Sequence, residues 1–495
     1  MNMILVISDT FRRDHLGCYG NTRIRTPHLD RLASESTVFD RAFVGSFPTV
    51  PLRNDILTGR YTFTYKAWAP AGPEPMLQEI LARHGVRTAA VADTPHPFAP
   101  AYNYQRGFAS WEQIRGQEND RYRTSPDAVD LPSDPGKLRA QGAALKQYFR
   151  NVADRRYEED YFPARTMRAG VRWLEQNAHT GQPFFLYLDT FDPHEPWDPP
   201  PHYLRMYEDG YDGDTVMYPR YDRSDYLTEA ELQHCRNLYA GEVSLVDRWV
   251  GYLLDSLDAL GLADDTVVVF TSDHGFYIGD HGYIGKSIIR DNYQQAIPLY
   301  PEVCRIPMLM RVPGLAPGRS DALVQAIDIH RTALEVFGIE PLDQKGHSLL
   351  GPARGGKGGR QVAISAPALS YPGLEVPHPA SRATICDGEW LLVYGSQVEA
   401  AEVDAQETAM VDSVIRQVRQ LEDDLRPELY RLADDPGCER NRYDRDDEAR
   451  AAAKRLHGAF VAFLEEQGMR EDHLRFFRTL PRRVGEPTGP KGTKA

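Results

Sequence analysis

Short, fully apolar runs rich in β-branched and aromatic residues recur along this chain, separated by helix-forming stretches, and this limits the fold more than any other feature. Met3 to Ser8 is followed by Asp9, Pro183-Phe-Phe-Leu-Tyr-Leu ends on Asp189, and Thr266-Val-Val-Val-Phe-Thr-Ser272 is followed by Asp273-His274-Gly275. A run that is apolar on both faces reads as a strand buried in a parallel sheet. Arg87 to Ala92 adds another strand. Between the strands lie Thr26 to Ala33, Pro75 to His84, a helix closing over Leu174 to Ala178, and a long amphipathic helix capped by Thr228 that runs to about Leu260. Strands alternating with helices predict a doubly wound α/β core with a large, mostly parallel sheet between helices.

At 495 residues the chain is long for one compact domain, so one large and one smaller domain are expected. The α/β pattern covers residues 1–355. Gly355 to Arg360 reads as a flexible hinge. Residues 356–480 change character: Ala383 to Cys386 and Glu389 to Tyr394 flank Asp387-Gly388, a hairpin signal, and helices are expected at 407–425 and 447–467. A small α+β domain with an antiparallel sheet is the reading. The Pro/Gly/Lys-rich residues 481–495 are expected to be a disordered tail.

A net charge of -14 argues against a nucleic-acid or membrane-surface partner. A small anionic substrate would therefore need a local cluster of cations or a metal. Cys18, Cys235, Cys304, Cys386 and Cys438 are scattered and form no CxxC pair, which suits a reducing compartment. The opening MNMILVISD carries about five apolar residues, short of the ~7–15 of a secretory signal or the ~20 of a membrane span. The cytoplasm is expected; a homo-oligomer is left open.

Ligands of open α/β sheets sit at the carboxyl ends of strands. Two such ends are candidate sites, Asp9 and Asp273-His274. Carboxylates with one imidazole suit a hard divalent cation. Singly each has a plainer reading, since Asp at a strand end is usually a helix cap. The stretch SFPTVPLRNDILTGRY, residues 46–61, adds weight. Pro51 suits a first helical turn, the amides there are unpaired, and Arg53 shares the face of Thr49 four residues back. A tetrahedral oxyanion beside Thr49 would meet amides, a guanidinium and a metal. The alternative is that Thr49 only caps the helix.

These motifs together resemble the sulfatases of the alkaline phosphatase superfamily. Their Cys/Ser-x-Pro-x-Arg followed by Leu-Thr-Gly-Arg stands here as TVPLR and LTGRY. Arg13 to Gly20, Thr26 to Ala33, Phe184 to Leu186 with Asp192 to Trp197, and Ser272 to Gly275 with Gly279 to Gly282 and Lys286 match further landmarks in order. Asp434 to Pro436 with Asn441 resembles the family's C-terminal motif. The resemblance implies an alkaline-phosphatase-like fold. It implies one divalent ion (Ca²⁺, Mn²⁺ or Mg²⁺, with Zn²⁺ also admitted) held by Asp9, Thr49, Asp273 and His274, with Thr10 doubtful. It gives Arg53 the orientation of the nucleophile, and His194 and Lys286 the non-bridging oxygens and the leaving group. His96 is a candidate substrate contact; His15 and His281 are read as structural.

Three departures matter. Thr49 stands where the family has the precursor of formylglycine, and its methyl would leave a ketone, not an aldehyde. Asp93-Thr94-Pro95-His96 replaces the family's GKWH, and Thr10 replaces a second aspartate. The pattern is closer to the phosphonate and phosphodiester hydrolase branch. The expected function is metal-dependent hydrolysis of a phosphodiester or phosphonate ester through Thr49. A sulfate ester is the alternative, and a non-catalytic binder of anionic esters a second.

Overall fold

The computed structural model describes residues 1–290, 293–356, 359–370, 376–377, 381–396, 398 and 426–480. Its centre is an eight-stranded sheet. In chain order it contains β1 (Asn2–Ser8), β2 (Thr37–Phe43), β3 (Arg87–Ala92), β4 (Ser110–Gln113) and β5 (Phe184–Thr190). Strands Thr266–Ser272, Met308–Arg311 and Gly318–Gln325 complete it. Across the sheet the order is Gly318–Gln325, β2, Met308–Arg311, Thr266–Ser272, β1, β5, β3, β4. Met308–Arg311 runs antiparallel to both neighbours and every other pairing is parallel, so the sheet is mixed and mostly parallel.

The double-sided burial read from the sequence has a direct packing consequence. Successive strand side chains point to opposite faces. In β1, Ile4 and Val6 enter one core, while Met3, Leu5 and Ile7 enter the other. Val268 and Phe270 join the first, Val267 and Val269 the second. Helices cover both faces. On the first lie α1 (Pro27–Ser34), α4 (Ala143–Asn151), α5 (Phe162–Asn177) and the long helix Glu229–Ala259. On the second lie α2 (Thr49–Thr58), α3 (Leu77–Arg83) and helix Asp328–Val336. Fully burying one such aliphatic or aromatic side chain contributes about 1.5–3 kcal/mol. A charge introduced at Leu5 or Val269 would therefore unseat the sheet from its helices.

A four-stranded antiparallel sheet follows: Ala363–Ser365, Arg382–Cys386, Trp390–Gly395 and Glu428–Arg431, with helix Asp447–Glu466 packed on it. Tyr61, Phe63 and Ile327 of the larger region join this third core. The expected hairpin is present. The helix expected at 407–425 and the tail 481–495 lie outside the described residues. The hinge reading of Gly355 to Arg360 does not fit its last residue. The Arg360 guanidinium bonds Gln325 Oε1 at 2.7 Å and Tyr61 Oη at 2.8 Å and pairs with Asp328, because a buried guanidinium needs partners for its donors. No helix among the described residues is long and apolar enough to cross a membrane.

Register brings the site together. Ser8 of β1 pairs with Thr190 on one side and Ser272 on the other. Asp9, Asp189 and Asp273 therefore emerge at neighbouring levels of three adjacent parallel strands, at their carboxyl ends.

Candidate active site

The helix carrying Thr49 is aimed by a carboxylate behind it. Asp55 accepts from Ser46 N at 2.8 Å and Ser46 Oγ at 2.7 Å, and from Thr62 N at 2.8 Å and Thr62 Oγ1 at 2.7 Å. These bonds tie the segment before α2 to the segment after it. Pro48, not Thr49, occupies the N-cap position, and no side chain makes a cap bond there. Thr49 is fully buried and is the first helical residue; its hydroxyl lies 3.4 Å from Lys286 Nζ. The cap reading therefore does not describe Thr49.

Arg53 is consumed beneath the hydroxyl. Nε and Nη2 donate to the two oxygens of Asp189, both at 2.7 Å. Nη1 donates to Asp273 Oδ2 at 2.7 Å and to the Thr49 carbonyl at 3.0 Å, and Nη2 also lies 3.1 Å from Asp9 Oδ2. Arg53 was expected to orient the nucleophile and to face substrate charge. With its donors committed to three carboxylates and the helix backbone, it holds the carboxylate cluster together beneath the cavity. Asp189 is the partner the sequence reading missed. Its signal was available, since its apolar run reaches an aspartate at its carboxyl end, as the runs before Asp9 and Asp273 do.

Asp9, Asp273 and His274 offer ligand atoms within 4.8 Å of one another, all buried. Asp273 Oδ1 accepts from the amides of Thr10 at 2.9 Å and His274 at 2.8 Å. Both oxygens of Asp9 and the Thr10 hydroxyl are buried without a hydrogen-bond partner. Thr10 itself sits at φ 56, a region β-branched residues avoid. Burial, then the neighbouring Asp273, raises Asp9 well above the carboxylate range. Against its own burial, His274 and Arg53 hold Asp273 low. Three buried carboxylates face one guanidinium and one lysine, so ionising Asp9 would leave negative charge uncompensated, and a divalent cation fits that deficit and the unpartnered oxygens.

The imidazoles are prepared for the same task. His274 Nδ1 lies 2.9 Å from the Gly275 carbonyl, and burial pushes its pKa down to about 3. Neutral, with Nδ1–H donating, it leaves Nε2 free to coordinate. Gly275 is required by contact: a Cβ there would lie 1.9 Å from the Glu302 carbonyl oxygen. His194 repeats the arrangement. Its Nδ1 faces the Glu195 carbonyl at 2.8 Å, burial and then Lys286 push its pKa well down, and Nε2 meets Lys286 Nζ at 3.0 Å. Lys286 Nζ thus sits among His194, the Thr49 hydroxyl and His274 Nε2, the last at 3.4 Å.

A cavity of about 1050 Å³ opens over this point, lined among others by Pro48, Pro51, His194, Lys286, Trp68 and His96. His96 faces Glu118, with Nε2 3.4 Å from Oε2, and packs edge-on against Trp68 and Phe191. It is a wall residue outside the carboxylate cluster. Glu118, Arg139 and Tyr221 line the same cavity and were not foreseen, because no motif marks them. His15 packs on Tyr239 and His281 on Tyr300, and neither lines the cavity.

A sequence model described as Sulfatase matches residues 1–339. Mouse (Mus musculus) iduronate 2-sulfatase is 27% identical over 362 residues, covering 63% of this chain and 60% of the relative. The N-acetylglucosamine-6-O-sulfatase of Bacteroides thetaiotaomicron is 24% identical over 426 residues, covering 70% of each. In solved structures, the fold resembles the phosphonate monoester hydrolase of Agrobacterium radiobacter at TM-score 0.68 and 21% identity, covering 94% of this chain and 95% of that one. Members of the matched family use a divalent metal ion. With its parallel sheet, its carboxylate cluster at the strand ends and a family match over residues 1–339, the chain belongs to the sulfatase family of ester hydrolases.

Proposed function

We propose that this protein hydrolyses a small phosphodiester or phosphonate ester through a covalent intermediate on Thr49. One divalent ion would be held by Asp9, Asp273, His274 and the Thr49 hydroxyl. The observation that carries the reading is the Thr49 hydroxyl itself. It is buried at a helix N-terminus, makes no capping bond, and lies 3.4 Å from Lys286 Nζ beside the carboxylate cluster. The hard ligand set suits calcium, manganese or magnesium, with zinc compatible through the imidazole. When bound, such an ion lowers the pKa of a contacting hydroxyl and offsets the charge of the ester.

In the first step the Thr49 Oγ proton passes to solvent water, Oγ bonds to phosphorus, and the bond to the departing alcohol breaks. Lys286 supplies the proton that the departing oxygen takes. His194, with Nδ1 donating to a carbonyl, presents Nε2 as an acceptor and so positions Lys286. In the second step a water oxygen bonds to phosphorus and gives its proton to Lys286, restoring the one spent in the first step, while the bond between phosphorus and Thr49 Oγ breaks and Oγ takes a proton from solvent water. Threonine supports this route over the elimination open to a formylglycine hydrate, because it has no second hydroxyl. That favours phosphorus esters. The names of the curated relatives favour sulfate esters, which stay the second reading.

The test is a panel of p-nitrophenyl phosphate, phosphodiester, phosphonate and sulfate esters assayed with calcium, manganese, magnesium and zinc. Fastest turnover of a diester or phosphonate, with a quenched adduct on the peptide spanning 46–53, is expected. Turnover of sulfate alone would transfer the reading to sulfate esters. Turnover without any adduct at Thr49 would overturn the nucleophile.

A further inference from the structure

Outside the site already described, three guanidiniums meet at Asp40 of β2. The sheet order brings two of them there, because β2 lies between strand Gly318–Gln325 and strand Met308–Arg311. Arg319 belongs to the first neighbour. Arg305 lies on the segment leading into the second, where it bridges to Phe43 of β2. Arg13 comes from the short helix Arg13–His15 that follows β1.

The three are not equally satisfied. Arg319 takes both oxygens of Asp40, with Nε 3.1 Å from Oδ2 and Nη2 on Oδ1, and its Nη1 donates to the Cys18 carbonyl at 3.0 Å. Arg319 therefore neutralises Asp40. Arg13 Nη2 stands 3.6 Å from the same Oδ1, beyond hydrogen-bond length, and its guanidinium carbon lies 4.1 Å from the centre of the Tyr19 ring. Arg305 Nη2 donates to the Asp40 carbonyl at 2.8 Å, and Arg305 has no ion pair among the described residues. Nε of Arg13 and of Arg305 is buried without an acceptor, whereas their unbonded Nη nitrogens are not shut off from solvent. The Arg13 side chain is 18% exposed and that of Arg319 51%. Burial, then Arg305, lowers the Arg13 pKa to about 10, so Arg13 stays charged at neutral pH beside two further cations. In a chain of net charge -14 this is a local reversal of sign.

We propose that Arg13, Arg305 and Arg319 form a second anion site, for a tetrahedral dianion of the phosphate or sulfate type, free or carried on a larger molecule. Three guanidiniums against one carboxylate leave two positive charges, which a dianion offsets. Guanidinium forks match the oxygens of such a group. Donors arriving from three separate segments suit a tetrahedral set of oxygens better than the two of a carboxylate. None of these residues belongs to the metal cluster, so the inference stands apart from the reading of Thr49.

The experiment titrates the full chain with inorganic phosphate, inorganic sulfate and methyl phosphate by calorimetry, in the wild type and in Arg319→Gln, Arg305→Gln and Lys286→Ala proteins. Binding of at least one dianion is expected that weakens about 10- to 100-fold in Arg319→Gln and in Arg305→Gln, the scale of a hydrogen bond between charged groups. Arg319 is half exposed, so its variant serves if Arg305→Gln fails to fold. The same event should persist in Lys286→Ala, which disturbs only an anion held over Thr49. It should also weaken as salt is raised, since partly exposed charges are screened. Methyl phosphate binding as inorganic phosphate does would support the site and assign it to a group carried on a larger molecule; binding of the inorganic ions alone would support it as a site for the free anion. Isotherms unchanged in folded Arg319→Gln and Arg305→Gln proteins would overturn the inference. So would an event lost in Lys286→Ala, or no dianion binding in the wild type.

Discussion

The floor and the wall of the cavity are built on different principles. The floor is Asp9, Asp189, Asp273, His274 and Arg53, fully buried, with the guanidinium committed to three carboxylates and a carbonyl. The wall is His96, Glu118, Arg139 and Tyr221, with Glu118 and Tyr221 buried, the His96 and Arg139 side chains partly exposed, and one Glu118 oxygen left without a donor. The floor, saturated around Arg53 but with both Asp9 oxygens open to a cation, fixes geometry and charge for one kind of chemistry. The wall leaves one Glu118 oxygen without a donor instead. The difference assigns reaction type to one region and choice of alcohol to the other.

The sharpest way to break that division is at the reacting hydroxyl. Thr49→Ala should lower kcat by about four orders of magnitude or more, as removal of a nucleophile does. Melting should shift little, because Thr49 makes no cap bond. Near-wild-type turnover would move the reaction away from the floor. Asp9→Ala should come close behind, with metal content by elemental analysis and activity falling together. Its two oxygens have no other hydrogen-bond partner, so full metal occupancy in that variant would show the ion sits elsewhere.

Arg53→Ala separates the regions by stability. Removing one member of a buried ionic cluster costs about 3–5 kcal/mol, because the uncompensated charges stay behind. Arg139→Ala, at a side chain that stays partly exposed, should cost less in chemical denaturation. If the two losses are equal, the floor is no more tightly built than the wall.

The same contrast explains what could be read in the sequence. The floor was legible because each part is local: a strand run ending on Asp9, Ser272 to Gly275 in one turn, and Thr49 with Arg53 one helical turn apart. Parallel register then brings these pieces together without further information. Asp189 was passed over although its apolar run also ends on aspartate, because no motif follows it as His274-Gly275 follows Asp273. Of the wall, only His96 was named from the sequence, as a candidate substrate contact. Glu118, Arg139 and Tyr221 come from irregular segments and meet it through tertiary packing that no periodicity encodes. The linker reading of Gly355 to Arg360 failed at Arg360 for the same reason, since composition reports turns but not the distant Asp328 that holds the guanidinium.

Lys286 lies between the two regions, and its removal should show which one it serves. Lys286→Ala should slow esters of poor leaving groups by about 10²–10⁴-fold, the range of general acid catalysis, and nitrophenyl esters much less. Equal losses on both would make Lys286 a binding residue of the wall.

The smallest expected effect tests the wall alone. Tyr218 is buried, and its hydroxyl donates to Glu118 Oε1 at 2.7 Å. Tyr218→Phe removes one of two donors to that oxygen and leaves Arg139 in place. A carboxylate held by one donor aims its other partner, Arg139, less firmly along the cavity. A hydrogen bond to a charged group contributes about 1.5–3 kcal/mol, but here the remaining ion pair keeps most of the orientation, so a loss of about threefold to tenfold is expected. It should fall on KM and not on kcat, because Thr49 and Lys286 are untouched. Metal content should match the wild type. A fall in kcat at constant KM would place Glu118 in the chemistry and erase the boundary between floor and wall.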